Sequence, residues 1–252
     1  MKHISLSKIT TRGKALYLAY DQGIEHGPST DFNDKNVNPL YILDIAKKGK
    51  FNGIVFQKGI AEKYNKEIRK SKVPLILKLN GKTKLFKGEP LSAQICSVDE
   101  AINLGAKAVG FTIYVGSQHE EQMLEEFAKI ESQAHKKGLP VIAWIYPRGS
   151  SVKKYYSKEL MAYASRVGLE IGADIAKINY NGNPKDLQWA VKSAGRCKVV
   201  IAGGVKLREK EFLKQAKDIM QASCMGLAVG RNVWQAKRPL EVTRKLRGIV
   251  VG

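Results

Sequence analysis

Two lysines stand inside apolar, β-branched runs: Lys177 in Asp174-Ile175-Ala176-Lys177-Ile178, and Lys78 in Leu75-Ile76-Leu77-Lys78-Leu79. A lysine there cannot easily carry its ammonium out to water, and burial lowers its pKa toward the neutral amine. A neutral amine attacks a ketone or aldehyde to form an imine. The alternative for Lys177 is an ion pair with a buried carboxylate. Lys78, on the same strand face as Ile76 and Asn80, is equally open as an imine lysine, a phosphate ligand or an ion-pair partner. Position alone does not choose between them.

Other residues fit the same chemistry. Trp144 and Tyr146 are two apart in one run and point the same way. A tyrosine hydroxyl beside an iminium can shuttle a proton, and a tryptophan face can shelter the cation; both can also be plain core aromatics. Arg148 follows them, as a second phosphate ligand or a rim residue. Asp21 can accept a proton from a substrate hydroxyl or serve only as a turn cap. His26 is a candidate for phosphate contact or proton transfer, or a loop histidine satisfied by backbone. Gly203-Gly204 and Gly230-Arg231 close two further runs. Glycine turns that open helices expose N–H groups to phosphate, and an arginine fork adds paired donors. With four histidines and no HExxH or HxxE spacing, neither a metal site nor another cofactor is expected.

These residues need a frame. Eight apolar runs recur at 15–20, 53–57, 75–79, 108–114, 141–146, 174–179, 199–202 and 227–229, separated by segments of helical periodicity such as 120–138 and 157–172. Gly49, Gly105, Gly138, Gly172 and Gly195 fall where helices should end, in the left-handed position that glycine favours. Continuous apolar strands alternating with helices predict a parallel sheet covered by helices. Eight such units predict one α/β domain over residues 1–252, a single (β/α)8 TIM barrel, rather than an open doubly wound sheet. The candidate residues then all lie at the C-terminal ends of strands, where such barrels keep their sites.

Composition narrows the class. The chain has 252 residues and a formal charge of +20, with 43 Lys+Arg against 23 Asp+Glu. Ten of the bases fall in residues 58–87, against Glu62 and Glu67. Such charge raises the question of nucleic acid, but no basic arm, zinc finger or helix-turn-helix accompanies it, so nucleic acid is not the expected partner. Most of these bases are expected on a solvated face, a few of them steering an anionic substrate. Three cysteines without CxxC spacing predict no disulfide framework. No apolar secretory signal or membrane-length run is present, and a cytoplasmic location is expected.

The motifs AYDQGIEHGP (19–28), GIVFQKGIAEKY (53–64), PLILKLNGKT (74–83), WIYPRG (144–149), GADIAKINYNGNP (172–184), AGGVK (202–206) and AVGRNVWQ (228–235) span nearly the whole chain. In this series the chain resembles the archaeal-type class I fructose-1,6-bisphosphate aldolases, the DhnA-type family. The resemblance implies reversible cleavage of fructose 1,6-bisphosphate to dihydroxyacetone phosphate and glyceraldehyde 3-phosphate, in glycolysis and gluconeogenesis. It implies Lys177 as the Schiff-base lysine, Tyr146 as general acid/base, Trp144 lining the imine and Asp21 near the sugar hydroxyls. It also implies phosphate loops at Gly203, Gly204, Gly230 and Arg231, no metal, and a large ring-based homo-oligomer. Gln22 stands where some members have histidine, and Asn179 where some have a second lysine. The chain also ends soon after its last helical segment, which is expected to alter subunit contacts. Related Schiff-base aldolases acting on other phosphorylated sugars, in aromatic-precursor or signalling-sugar pathways, share the lysine and are the alternative.

Overall fold

The computed structural model describes residues 4–27 and 31–252; residues 1–3 of the N-terminal stretch and Pro28 of the first motif lie outside them. The β-branched runs form parallel strands because each is bounded by turn residues and apolar on both faces. In chain order the elements are β1 (Ala15–Ala19), α1 (Gln22–Glu25), α2 (Pro39–Lys48), β2 (Gly53–Gln57), α3 (Lys58–Lys63) and α4 (Asn65–Ser71). Next come β3 (Leu75–Lys78), β4 (Asn80–Gly81), β5 (Ala93–Gln94), α5 (Val98–Asn103), β6 (Ala108–Ile113), α6 (Glu120–Lys136) and β7 (Val141–Ile145). The chain continues with α7 (Lys158–Glu170), β8 (Ile175–Ile178), α8 (Pro184–Ser193), β9 (Lys198–Ala202), α9 (Glu209–Gln221), β10 (Gly226–Val229), α10 (Arg231–Trp234) and α11 (Pro239–Val250).

Eight strands close in the order β1-β2-β3-β6-β7-β8-β9-β10, every pair parallel, which is the (β/α)8 barrel. The small antiparallel pair β4–β5 is an arm on the barrel mouth. Several predicted runs overshoot by a residue because the chain turns there toward the site. Tyr20, Leu79 and Tyr146 leave the ladder yet still donate backbone bonds to Val55, Gly110 and Ile113 at 2.8–3.0 Å.

Two apolar layers sandwich the strands. Inside the barrel pack Tyr17, Ile76, Ile142, Trp144, Ile175 and Val200, with Ile9 at its foot. Outside, strand residues meet the buried faces of the helices. Local signals start those helices: Ser97 and Glu100 form a capping box on α5, and Asn183 caps α8 ahead of Pro184.

One glycine expectation is corrected. Gly105, Gly138, Gly172 and Gly195 are left-handed, but Gly49 ends α2 at φ −77° and the left-handed residue is Lys50, at φ 52°. Gly49 is glycine for space: a Cβ there would stand 2.6 Å from the Thr243 side chain and 2.8 Å from the Ile45 carbonyl.

Candidate active site

A cleft of about 500 Å³ opens at the C-terminal ends of the strands, and all eleven residues singled out as site candidates border it. At its floor β7 and β8 bring Trp144 and Lys177 into register as neighbours. Gly110 on β6 makes room for the indole, since a Cβ at that position would fall 1.8 Å from the Trp144 ring.

Lys177 is buried, and its Nζ donates to the Tyr146 hydroxyl at 2.9 Å while lying 4.9 Å from the Trp144 ring centroid. Burial lowers its pKa from 10.5 to about 8, held from falling further by the Asp21 and Glu25 carboxylates. Burial also pushes the Tyr146 hydroxyl well above its ordinary value, and Asp21 adds to the rise against Arg148 and Lys78. In the free protein the phenol is therefore a held proton, not a phenolate.

Lys78 takes the ion-pair alternative. Its Nζ donates to Glu25 Oε1 at 2.8 Å with the lysine side chain 1% exposed, and the Tyr114 hydroxyl approaches the other carboxylate oxygen at 3.3 Å. An ammonium held by a carboxylate is a poor nucleophile, so between the two lysines geometry favours Lys177 as the amine. Asp21 makes no capping bond to α1, and its carboxylate faces the cleft. Arg148 is exposed at the rim, stacked 5.6 and 5.4 Å over the rings of Tyr114 and Tyr146.

The anion-binding loops differ from expectation in two respects. Residues 203–208 run as a loop before α9, so Gly203-Gly204 does not itself open a helix. The Gly203 N–H is also committed, donating to the Ala228 carbonyl at 2.8 Å. Gly204, left-handed at φ 64°, and Gly230, which precedes α10, border the cleft. Arg231 lies 3.5 Å from both Asp31 Oδ1 and the Gly204 carbonyl. His26 is satisfied by a carboxylate rather than backbone, with Nδ1 2.9 Å from Asp31 Oδ2. Burial raises the Asp31 carboxyl, yet the His26 hydrogen bond and the Arg231 charge carry it below its ordinary value.

Glu25, Tyr114, Asp31 and Asn232 were not foreseen. Tyr114 follows directly on a strand end, the positional rule that picked out the others. Asn232 ties the 203–207 loop to α10 by donating to the Gly203 and Val205 carbonyls, both at 2.9 Å, and accepting from Leu207 N–H at 2.8 Å. Asp31 meets Arg231 across 200 residues, besides His26 five residues away, and Glu25 meets Lys78 across 53; no local spacing marks the two long-range pairs. Among the described residues no cluster of three or more His, Cys, Asp or Glu could hold a metal ion, and no helix is long and apolar enough to cross a membrane.

A parallel (β/α)8 barrel with a desolvated lysine amine against a tyrosine hydroxyl, in a cleft bordered by Arg148 and Arg231, is the arrangement of a lyase that works through a lysine imine. Residues 15–236 match the DeoC/LacD family aldolase, and the chain belongs to that family. It is 52% identical over 244 residues to the class 1 fructose-bisphosphate aldolase of Thermoproteus tenax, covering 96% of this chain and 91% of that one. A fructose-bisphosphate aldolase/6-deoxy-5-ketofructose 1-phosphate synthase from Methanocaldococcus jannaschii is 36% identical, with 97% of this chain and 82% of the relative covered. The structure also superimposes on that of an archaeal fructose-1,6-bisphosphate aldolase whose catalytic lysine is covalently bound to a carbinolamine intermediate (TM-score 0.92, 48% identity, 98% of each chain).

Proposed function

We propose that this protein is a class I, metal-independent fructose-1,6-bisphosphate aldolase with Lys177 as its imine-forming residue. The observation that carries this reading is the buried Lys177 amine, lowered to about 8 and bonded to Tyr146 at 2.9 Å. Lys177 adds to the C2 ketone, and Tyr146 gives its proton to the resulting hydroxyl, which leaves as water. The iminium then draws the electrons of the C3–C4 bond as it breaks, leaving an enamine. The Tyr146 phenolate, now facing a cation, takes the C4 hydroxyl proton directly or through Asp21, and returns a proton to C3 of the enamine; water then adds to the re-formed iminium, giving its proton to the phenolate, and dihydroxyacetone phosphate leaves Lys177. Trp144 shelters the iminium face.

Arg231, with the Gly204 and Gly230 backbone, is assigned to one phosphate; Arg148 is assigned to the second, with Lys82 and Lys84 also on the cleft wall. His26 supports the first site through Asp31, and Lys78 holds Glu25 in place. We also read the protein as a cytoplasmic homo-oligomer serving glycolysis and gluconeogenesis, its whole length one barrel domain.

Borohydride reduction in the presence of fructose 1,6-bisphosphate tests the mechanism. The added mass is expected on the peptide holding Lys177 and absent from Lys177→Ala, with activity insensitive to EDTA. Activity abolished by EDTA without trapping would sink the proposal. The name of the Methanocaldococcus jannaschii relative favours a second reading, another phosphorylated sugar as substrate. Comparing cleavage of fructose 1,6-bisphosphate with fructose 1-phosphate separates the two.

A further inference from the structure

The charge of +20 is unevenly placed. Among the described residues the eleven α-helices nearly cancel, with twenty Lys/Arg against eighteen Asp/Glu. The excess lies in the connections at both ends of the barrel; with the adjoining helix ends included, the foot, opposite the cleft, carries the larger share. The stretches 8–14, 47–52, 69–74, 104–107, 136–140, 170–174, 192–198, 221–225 and 247–252 reach or lead from this end; they hold sixteen bases against two acids, of which seven bases and one acid are residues of the α-helix ends. Both acids are already engaged: Asp174 by His135 and the Val141 N–H, Glu170 by Arg166.

Helix chemistry explains part of this. Cations in the last turn of a helix complement its dipole, which accounts for Lys47, Lys48, Lys70 and Lys136. The dipole also favours Lys72, the C-cap of α4, and Lys50, which directly follows the C-cap of α2; Arg12, Lys107, Arg196 and Lys198 lie farther from helix ends. These six are exposed and have no ion pair among the described residues. Three of these six have a second peculiarity. Arg12, Lys50 and Lys72 are left-handed, at φ 51°, 52° and 61°, where glycine is the least strained choice. They stand in the connections leading to β1, β2 and β3, consecutive around the barrel. Cations thus occupy positions that neither backbone geometry nor ion pairing requires.

We propose that the foot of the barrel, centred on Arg12, Lys50 and Lys72, binds the phosphodiester backbone of duplex nucleic acid. Fixed, unpaired positive charge on consecutive loops is what sequence-independent phosphate contact needs, and no sequence-reading motif is required for it. Among the described residues, none of the exposed large apolar or aromatic side chains falls in these stretches. That removes the stacking platform a single strand uses and the apolar insert that stable membrane attachment uses. A second copy of the chain is disfavoured as the occupant, because this surface would meet its own charge.

The test uses the full chain and a fluorescein-labelled, random-sequence DNA duplex of about 20 base pairs, followed by anisotropy. Binding is expected at ~50 mM NaCl and should weaken on the order of 100-fold or more by ~200 mM. The variant Arg12→Gly/Lys50→Gly/Lys72→Gly should weaken binding by about tenfold or more and flatten the salt slope by about 2–3. Its unfolding temperature should not fall and its aldol cleavage should be unchanged, which separates lost contact from lost structure. A control of equal charge change on helices away from the foot, Lys66→Gln/Lys185→Gln/Lys214→Gln, should stay within about twofold of the parent. The proposal is overturned if the parent does not bind at low salt, or if the control loses as much as the glycine variant. It is also overturned if vesicles containing phosphatidylglycerol are bound under conditions where the duplex is not.

Discussion

At the scale of single residues, Lys177 is held in tension between solvation and function. Below a pH of about 8 the folded protein carries a buried ammonium whose charge it disfavours. The unfolded chain keeps its proton up to the ordinary lysine value of 10.5, so between those limits the unfolded state binds more protons and stability rises with pH. Lys177→Met should therefore abolish cleavage yet stabilise the fold at pH 7 by about 1–3 kcal/mol, read by urea unfolding. An inactive variant no more stable than the parent would contradict the desolvated amine. On the proposed mechanism the same titration governs catalysis. kcat/KM for cleavage should climb as pH rises and level off near an apparent pKa of about 8, since only the neutral amine attacks. A profile flat from pH 6 to 9 would contradict it.

At the scale of elements, the site depends on what α1 and β6 present to the strands beside them. Glu25 at the end of α1 neutralises Lys78 on β3, a pair 14% and 1% exposed. Glu25→Gln leaves the ammonium without its counter-charge and should cost about 2–4 kcal/mol. The double change Glu25→Leu/Lys78→Met should recover most of that stability in chemical denaturation, which a purely local effect of Glu25 would not allow. Gly110 on β6 plays a steric part: Gly110→Ala drives a methyl into the Trp144 ring, 1.8 Å away. It should lower kcat on the order of 100-fold and shift tryptophan fluorescence, because misplacing a group that shapes the reacting geometry by an ångström has that scale of effect. Normal kcat in the alanine variant would remove Trp144 from the reaction.

At the scale of the whole molecule, the barrel has two ends with different demands. The last strand closes on the first where Gly226 faces Ala15, and a Cβ at Gly226 would lie 1.7 Å from the Ala15 carbonyl oxygen. Gly226→Ala should open this seam, destabilising the fold by about 3 kcal/mol or more. Loss of the near-ultraviolet circular dichroism of the whole chain, rather than of activity alone, is the expected signature. The mouth gathers cations around a cleft that also contains Asp21, Glu25 and Asp31, whereas the foot gathers them with almost no acids. The first arrangement can select and orient a small anion; the second suits the extended one proposed for it.

Much of this was written locally. Alternating apolar runs and helical segments specified eight strand–helix units because the two periodicities are properties of consecutive residues, and eight parallel units close most simply as a barrel. A lysine in an apolar strand, two aromatics two residues apart and glycine turns at strand ends marked the chemistry for the same reason. The sequence alone therefore determined the architecture and the candidate residues, Lys177, Tyr146 and Trp144 among them. Tertiary structure decided what spacing does not encode. It paired Lys78 with Glu25 and set Lys177 against the Tyr146 hydroxyl rather than a carboxylate. It committed the Gly203 N–H to Ala228, tied Arg231 and His26 through Asp31, and drew the loop cations together at one end. Each of these depends on desolvation or on a partner far away in the chain, and both exist only once the barrel has closed.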